Sequence, residues 1–374
     1  MFLAHALTVR LRVSLRPVIR NPRQCLGFFA LMLTLSGARA QNFDLSSLPA
    51  YKATAPNQHG VIRIHDTELS QQLVHFWQDR FLKLHPLVRY SEYSVPAWFS
   101  GLGADTADLA VTGRRAYRAD LKALEGIWGY PPLEIVVATG GFNLRKGNTP
   151  GAIIFVHKDN PLAGLTLEQL DGIFGAQRTG GWDGTKWTAT NARGAEKNIR
   201  TWGQLGLTGE WADKPISLYG IDATLSGWSA LIQDVAFHGG TKWNPAIQEF
   251  VRGGGEVPAD EQLVAGVAGD RYGIGFSFMR IVEKNPGVRP LALARAAGEP
   301  FVAPTNESFF ERSYPLVTSV YIYLKRPPGQ PVPPRLREFL AFILSREGQQ
   351  AVVDDGMYLP LSAETIRQQL KKIE

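Results

Sequence analysis

The chain has 374 residues, of which 44% are hydrophobic and 20% charged, a composition typical of globular rather than disordered proteins. This length exceeds what a single compact core usually organises, so we expect two lobes. The net charge of +6 would favour nucleic-acid binding, but six arginines fall within residues 1–40, which contain no Lys, Asp or Glu. The remainder carries 34 basic and 34 acidic residues, and this balance argues against a polyanionic partner.

Residues 1–40 have the features of a secretory signal peptide: a basic segment, an apolar stretch from Cys25, and small residues at Ala38 and Ala40. We predict cleavage after Ala40 and a periplasmic protein that begins at Gln41. A membrane anchor is the alternative, disfavoured because the apolar stretch is too short to span a bilayer. Cys25 is the only cysteine, so no disulfide, thiol nucleophile or thiolate metal site is expected after cleavage.

The segment after the leader predicts the beginning of an open, mostly parallel sheet. Residues 41–58 lack periodicity and are expected to form an extended lead-in. Large apolar residues recur with helical spacing between Leu69 and Leu84, and Pro86 prevents the helix from continuing. Short strands are predicted around this helix, at residues 61–64, 87–93 and 107–111. This β–loop–α–β order is typical of α/β proteins.

A strand, a turn and a helix are predicted between Ala152 and Gly175. Residues 152–156 form an apolar run typical of a buried strand, and Pro161 lies in the polar turn that follows. Apolar residues then recur with helical spacing as far as Phe174. We expect Gly175 to end this helix with a positive φ.

The remaining sequence predicts a second α/β region and a helical C-terminus. We interpret residues 176–200, which are rich in glycine, tryptophan and basic residues, as a long surface excursion. No internal repeat is present. Strands are predicted at residues 136–138, 216–219, 273–278, 288–294 and 314–324, and helices from Ser226, over 336–343 and over 349–353 before a stop at Gly356.

Motifs for enzymatic chemistry are absent from the sequence. There is no GxSxG elbow, no HExxH and no phosphate loop of the GxxxxGK[ST] type. The seven histidines are scattered, and no two have the spacing of metal ligands. We therefore predict neither a metal site, nor a cofactor, nor a catalytic residue.

Polar residues instead occupy four loops between a strand and a helix. Ligands of open α/β sheets lie beyond the carboxyl ends of strands, and free N–H groups at helix starts favour oxyanions. A helix cap or an ordinary turn is the alternative interpretation of each loop. The residues are Asp66, Thr67 and Glu68 after the first strand, Ser94 after the second, Thr112 and Arg114 after the third, and Ser226, Gly227 and Trp228 at a later helix start.

Three segments resemble the phosphate-binding proteins of bacterial phosphate ABC transporters, and the similarity extends over about residues 60–363. These segments are Ala152–Gly175 (HKDNPL and LTLEQLDGIF), Gly273–Phe278 and Tyr314–Leu361. The resemblance implies a two-lobe periplasmic-binding-protein-like α/β fold, in which mixed sheets carry helices on both faces and the ligand cleft lies between the lobes. Lobe 1 is then residues 59–155 plus 312–374, and lobe 2 is residues 156–311.

The same resemblance implies which residues contact the ligand. The family's first-strand loop corresponds to Asp66, Thr67 and Glu68, its serine loop to Ser94, and its third-strand turn to Thr112 and Gly113. Its serine-glycine-threonine helix start corresponds to Ser226, Gly227 and Trp228. Arg114 would supply a cation on the opposite wall.

Three positions depart from the family pattern. Trp228 stands where the family has threonine, residues 219–222 lack the family's arginine, and Gly113 lies where many members have an aspartate. A charge-assisted contact in a dry cleft contributes several kcal/mol, so these changes predict an altered pocket, or a larger or flatter ligand near Trp228.

The resulting hypothesis is a periplasmic solute-binding protein that captures phosphate or a related small anion for ABC-type uptake. It is expected to be a monomer that works with a transporter permease or a membrane sensor, without nucleic acid. Two alternatives stay open: a secreted phosphatase of the same fold, and a ligand-free module for periplasmic sensing or interaction.

Overall fold

The computed structural model describes residues 43–94, 98–140, 152–221, 227–250 and 257–374. The segment Ala40–Glu374 forms one compact unit. The strands in chain order are β1 (Gly60–Asp66), β2 (Val88–Ser94), β3 (Leu109–Thr112), β4 (Leu133–Thr139), β5 (Ile153–His157), β6 (Gly164–Thr166), β7 (Gly181–Asp183), β8 (Lys186–Thr188), β9 (Ser217–Ile221), β10 (Gln248–Phe250), β11 (Gly273–Ser277), β12 (Val288–Pro290), β13 (Ala292–Ala294) and β14 (Ser319–Leu324).

Helices cover both sheets, and none in the described ranges is long and apolar enough to cross a membrane. In chain order they are α1 (Glu68–Leu84), α2 (Trp98–Gly103), α3 (Arg118–Trp128), α4 (Leu167–Phe174), α5 (Gly227–Val235), α6 (Ala259–Gly269), α7 (Met279–Val282), α8 (Asn306–Phe310), α9 (Pro334–Ile343), α10 (Arg346–Asp355) and α11 (Ala363–Ile373).

The first five-stranded sheet has the order β2-β1-β3-β14-β4. Strands β1, β2 and β3 are parallel, whereas β14 is antiparallel to both of its neighbours. Apolar residues of this sheet pack with α1, α9 and α10 into one core, which includes Trp77, Phe81 and Phe339. The extended lead-in is tied to this core through Tyr51, whose hydroxyl donates to Glu338 at 2.8 Å. The parallel start of the sheet predicted from the sequence is confirmed.

The second five-stranded sheet has the order β10-β9-β11-β5-β12 and surrounds a separate core. Every residue of β5 and β11 is buried, because helices and loops cover both faces. Strand β5 is buried, as its continuous apolar run predicted. It leads the chain into the second core. The short pair β6–β13 lies beside α4, which buries Leu170, Ile173 and Phe174.

Three boundaries differ from the sequence predictions. The predicted strand 288–294 is two short strands in different sheets, and the predicted strand 314–324 begins only at Ser319. Gly175 was expected to have a positive φ, which is wrong, because its φ is −85°. Glycine is needed there for space: a Cβ would lie 2.2 Å from Asp171 Oδ1.

The segment 176–200 is only partly a surface excursion. Arg178 donates from Nη1 and Nη2 to the two carboxylate oxygens of Asp171, at 2.8 and 2.7 Å. Arg193 lies on the same carboxylate, with its Nε 3.6 Å from Oδ2. All three side chains are buried, so one carboxylate balances two guanidinium groups. This cluster fixes the segment to α4, which sequence periodicity could not indicate.

We predict that Asp171→Asn lowers the free energy of unfolding by about 3 kcal/mol, because two buried guanidinium groups lose their counter-charge. Urea unfolding followed by circular dichroism measures the change. The control is Glu168→Gln on the same helix, whose carboxylate is 72% exposed and pairs with Lys197. It should change stability by less than about 0.5 kcal/mol. Equal effects of the two substitutions would contradict the prediction.

Candidate functional site

The carboxyl ends of β1, β2 and β3 lie side by side at one edge of the first sheet. Asp66 is opposite Ser94 in the β1–β2 register, and His65 is opposite Ala110 in the β1–β3 register. The Ser70 hydroxyl at the start of α1 donates to the backbone oxygen of Val111, at 3.2 Å. The three strand-end loops predicted from the sequence are therefore neighbours.

Thr67 is the N-cap of α1, with an extended backbone at φ −115° and ψ 155°. Its backbone N–H donates to the Ser70 hydroxyl at 3.2 Å. This geometry agrees with the interpretation of Thr67 as a helix cap. It also orients the first N–H groups of α1 toward the sheet edge. Glu68 is exposed in the first turn of the helix, so its carboxylate lies in solvent rather than among the buried groups of this edge.

Asp66 is fully buried, and neither carboxylate oxygen has a hydrogen-bond partner within the described residues. Burial raises the pKa of Asp66 to about 6, and the nearby Glu92 carboxylate adds to the rise. The Ser94 hydroxyl lies close enough to lower the pKa of Asp66, although it does not reach hydrogen-bond geometry. Asp66 is therefore a carboxyl group that changes protonation state near neutral pH.

Arg114 follows β3 and points toward the second core. Its Cδ lies 3.8 Å from the position that a Cβ on Gly227 would occupy, so the third-strand loop comes close to the start of α5. Its guanidinium lies 3.9 Å from the centre of the Tyr117 ring and donates to the backbone oxygen of Arg115. Within the described residues it forms no ion pair. Arg114 interacts electrostatically with Asp120 but forms no ion pair, and it thus presents a cation beside a glycine at a helix start.

Trp228 packs its indole edge-to-face with Phe278, with ring centres 4.5 Å apart, at the margin of the second core. Thr112 is buried, and its hydroxyl accepts from the backbone N–H of Arg114 at 3.3 Å. Ser226 lies outside the described residues. The structure therefore brings Asp66, Thr67, Ser94 and Thr112 to one sheet edge, and joins Arg114 to Gly227 and α5.

Arg312 belongs to the same region, and the sequence analysis missed it. Its Nη1 donates to the hydroxyls of Thr139 and Ser319, at 3.0 and 2.7 Å. It lies beside Tyr321, which is opposite Thr112 in the β3–β14 register. Burial holds the pKa of Arg312 below its usual range, and no carboxylate pairs with it in the part of the chain that the structure describes.

The backbone of Arg312 also has φ of 62°, which is uncommon for a residue with a side chain. Strained conformations of this kind cost about 1–3 kcal/mol and cluster at functional sites. A half-buried cation whose side-chain partners are hydroxyl groups can accept an anionic ligand. The positive φ and the buried setting depend on the fold, so no local pattern in the sequence indicated this residue.

The other cations of the third-strand loop are neutralised across the two cores. Arg115 pairs with Glu134 at 3.0 Å and with Asp234 of α5 at 3.4 Å. Arg118 also pairs with Asp234, at 2.5 Å. These pairs join α3 to α5, whereas Arg114 and Arg312 form no ion pair with any described residue. Among the described residues, no group of His, Cys, Asp and Glu could hold a metal ion.

Comparisons with known proteins identify the family. A family model described as a PBP superfamily domain matches residues 104–347. The chain is 31% identical to the phosphate-binding protein PstS of Pseudomonas aeruginosa over 333 residues, which cover 87% of this chain and 91% of that protein. The chain belongs to the PBP superfamily and, within it, to the PstS family. The predicted family and the predicted α/β fold class are confirmed.

Two further proteins are similar to this chain. Protein SphX of Synechococcus elongatus is 25% identical over 214 residues, which cover 57% of this chain and 54% of that protein. The crystal structure of PstS from Borrelia burgdorferi has a TM-score of 0.52 and 16% identity, and it covers 81% of this chain and 100% of that chain. The second match shows likeness of fold alone.

We predict that Asp66 makes stability fall as pH rises. Its carboxyl binds a proton more tightly in the folded chain than in the unfolded chain, where the pKa is about 4. The stabilisation is therefore complete below pH ~4 and is lost as pH rises through about 6, for a total of about 2–3 kcal/mol. Urea unfolding at pH 4 and at pH 7.5 measures the loss.

The Asp66→Asn variant should lose this part of the pH dependence. Ile127→Ala, at an exposed position on α3, serves as the control and should keep the wild-type profile. If Asp66→Asn and the wild type lose the same stability between the two pH values, the buried carboxyl is not responsible.

Proposed function

We propose that this protein is a periplasmic solute-binding protein that captures phosphate or a related small anion between its two cores for ABC-type uptake. The observation that carries the proposal is the close approach of Arg114 to the start of α5, because it brings a strand-end loop of one core beside a helix start of the other. An anion at this junction would meet donors from both sides and would hold them together.

Two cations and several neutral donors are available to the anion. Arg114 and Arg312 have no ion pair within the described residues, so an anion would supply their missing counter-charge. The first N–H groups of α1 and α5, with the hydroxyls of Thr67 and Thr112, supply donors without further charge. Ser94, Ser226 and Gly227 complete the proposed set, in which Arg312 is an addition to the sequence prediction.

The proposal gives Asp66 a supporting role. A fully buried carboxyl with a raised pKa at the same sheet edge would make the local charge depend on pH. Glu68 is exposed and is not buried at this sheet edge as Asp66 is. Its ligand contact is supported by the family correspondence alone. No catalytic step is proposed, because the site offers cations and donors and its relatives are named as binding proteins.

Periplasmic location and transport partners belong to the same proposal. The basic and apolar leader with small residues at Ala38 and Ala40 supports export and cleavage after Ala40. We propose that the two cores correspond to the two predicted lobes, residues 59–155 plus 312–374 and residues 156–311, except that residues 152–155, Tyr314 and Leu316 pack into the second core. A membrane permease would contact the ligand-bound form.

We predict that Arg114→Ala weakens inorganic phosphate binding at least tenfold. A hydrogen bond to a charged group contributes about 1.5–3 kcal/mol, and 1.4 kcal/mol corresponds to a factor of ten. Isothermal titration calorimetry gives the dissociation constant. Tryptophan fluorescence gives a second measure through Trp228, which lies beside Gly227 at the proposed site.

The matched control is Arg89→Ala, which removes the same charge from an exposed residue at the opposite end of the first sheet. It should leave phosphate binding within about twofold. Equal weakening by both variants would mean that Arg114 acts only through net charge. If wild-type protein binds neither phosphate nor sulfate, the proposed function is wrong, and a ligand-free interaction module becomes the better hypothesis.

A further inference from the structure

The Asp234 carboxylate joins the two cores. It lies on α5 of the second core, whereas both arginines that pair with it belong to the first core, at and just before the start of α3. Arg118 Nη2 donates to Oδ1 at 2.5 Å, and Arg115 Nη1 donates to Oδ2 at 3.4 Å. The Asp234 and Arg118 side chains are only 18% and 17% exposed, so water screens this pair less than a surface pair.

The first core holds Arg115 in place without help from the second. Glu134 of β4 accepts from its Nε at 3.0 Å and from its Nη2 at 3.1 Å. The Tyr323 hydroxyl of β14 donates to the same carboxylate at 2.8 Å and accepts from the backbone N–H of Ala116 at 3.0 Å. Arg115 is therefore already oriented toward Asp234 by bonds within its own sheet.

The turn that follows α5 receives the aliphatic part of Arg118. A Cβ on Gly239 would lie 3.0 Å from Arg118 Cγ and 2.9 Å from Trp182 Cδ1, so a larger residue would displace one of these side chains. The Trp182 N–H donates to the backbone oxygen of His238 at 2.8 Å, which ties the β7–β8 hairpin to the same turn. Second-core groups thus lie against both the charged and the apolar part of Arg118.

Empty space flanks these ion pairs. Arg115 and Arg118 line a cavity of about 440 Å³ between α3 and α5, and both also line a second cavity of about 260 Å³. Protein interiors are otherwise closely packed, so cavities on both sides mean that apolar packing contributes little at this point. Polar interfaces of this kind between parts of one chain can separate. The ion pairs are therefore a main attraction between α3 and α5.

The tip of the β7–β8 hairpin adds a weaker connection to the first core. Gly184 and Thr185 line the smaller cavity together with residues 131–132. A hydrogen bond with Thr185, and a smaller effect of Lys122, hold the pKa of Glu125 on α3 below its usual value. The second core therefore approaches α3 both through α5 and through this hairpin.

The position of Asp234 on its helix favours a role in joining the cores. Helix α5 ends at Val235, and a carboxylate near a helix C-terminus opposes the helix dipole, so Asp234 does not stabilise its own helix. Gly227 lies about two helical turns earlier, on the same face of α5. The face that Asp234 attaches to the first core is thus the face that Arg114 approaches.

We propose that Asp234 is a positioning residue for the anion site: its pairs with Arg115 and Arg118 hold the cores together before a ligand binds, so that Arg114 already lies beside the start of α5. This role rests on the proposed function. Asp234 does not contact the anion, which its negative charge would repel. When these pairs are absent, part of the binding energy closes the cores, and the apparent dissociation constant rises in inverse proportion to the closed fraction.

The first test needs no ligand. Small-angle X-ray scattering in phosphate-free buffer compares the radius of gyration of the wild type with that of Asp234→Asn, which keeps the shape of the side chain and removes its charge. The variant should have the larger radius. Arg118→Gln removes the partner instead and should also enlarge it, which keeps the test decisive if circular dichroism shows that either variant does not fold.

The second test is isothermal titration calorimetry with inorganic phosphate. Asp234→Asn should raise the dissociation constant about three- to tenfold, and Asp234→Glu, which keeps the charge, should stay within about twofold of wild type. Because the two residues act through one interaction, the double variant Asp234→Asn with Arg118→Gln should weaken binding less than the product of the single effects. The matched control is Asp213→Asn, which removes an exposed carboxylate beside Trp211 of the second core and should change neither measurement.

The outcomes separate this role from the proposed function. An unchanged radius of gyration in the folded Asp234 and Arg118 variants would overturn the proposal. So would a larger radius with unchanged phosphate affinity, or equal weakening by Asp213→Asn. If the wild type binds no phosphate, the proposed function fails, whereas the scattering comparison still decides whether Asp234 holds the cores together.

Discussion

The close approach of Arg114 to the start of α5 is the constraint on which the functional geometry depends. Arg114 follows a strand of the first sheet, whereas Gly227 begins a helix of the second core. Since a glycine there leaves the helix backbone open, a ligand at this contact would meet both cores at once. A cavity of about 440 Å³ lies beside this approach, between α3 and α5.

The distribution of counter-charges decides which cations are available to ligands. Glu134 and Asp234 neutralise Arg115 and Arg118, and these pairs hold α3 against α5. Arg114 and Arg312 have ring and hydroxyl partners instead, which leave their charge in place. A desolvated cation interacts more strongly with an anion than a solvated one does, because less water screens the charge. The partial burial of Arg312 therefore strengthens its candidacy.

The sequence predicted those features that depend on neighbours along the chain. Alternating and helical periodicity located β1, α1 and the buried strand β5, and the strand-end rule placed Thr67, Ser94 and Thr112 at one edge. The sequence analysis did not identify Arg312, because its hydroxyl partners Thr139 and Ser319 come together only when β4 pairs with β14. Arg178 was assigned to a surface excursion, because nothing local shows that Asp171 of α4 draws it inside.

Trp228 has a packing role that the sequence did not indicate. Its bulk, where the family has threonine, predicted a larger or flatter ligand at the helix start. In the structure its indole packs edge-to-face on Phe278 at the margin of the second core, so much of its surface serves packing. Packing on Phe278 is therefore a sufficient physical reason for the bulk of the side chain at position 228.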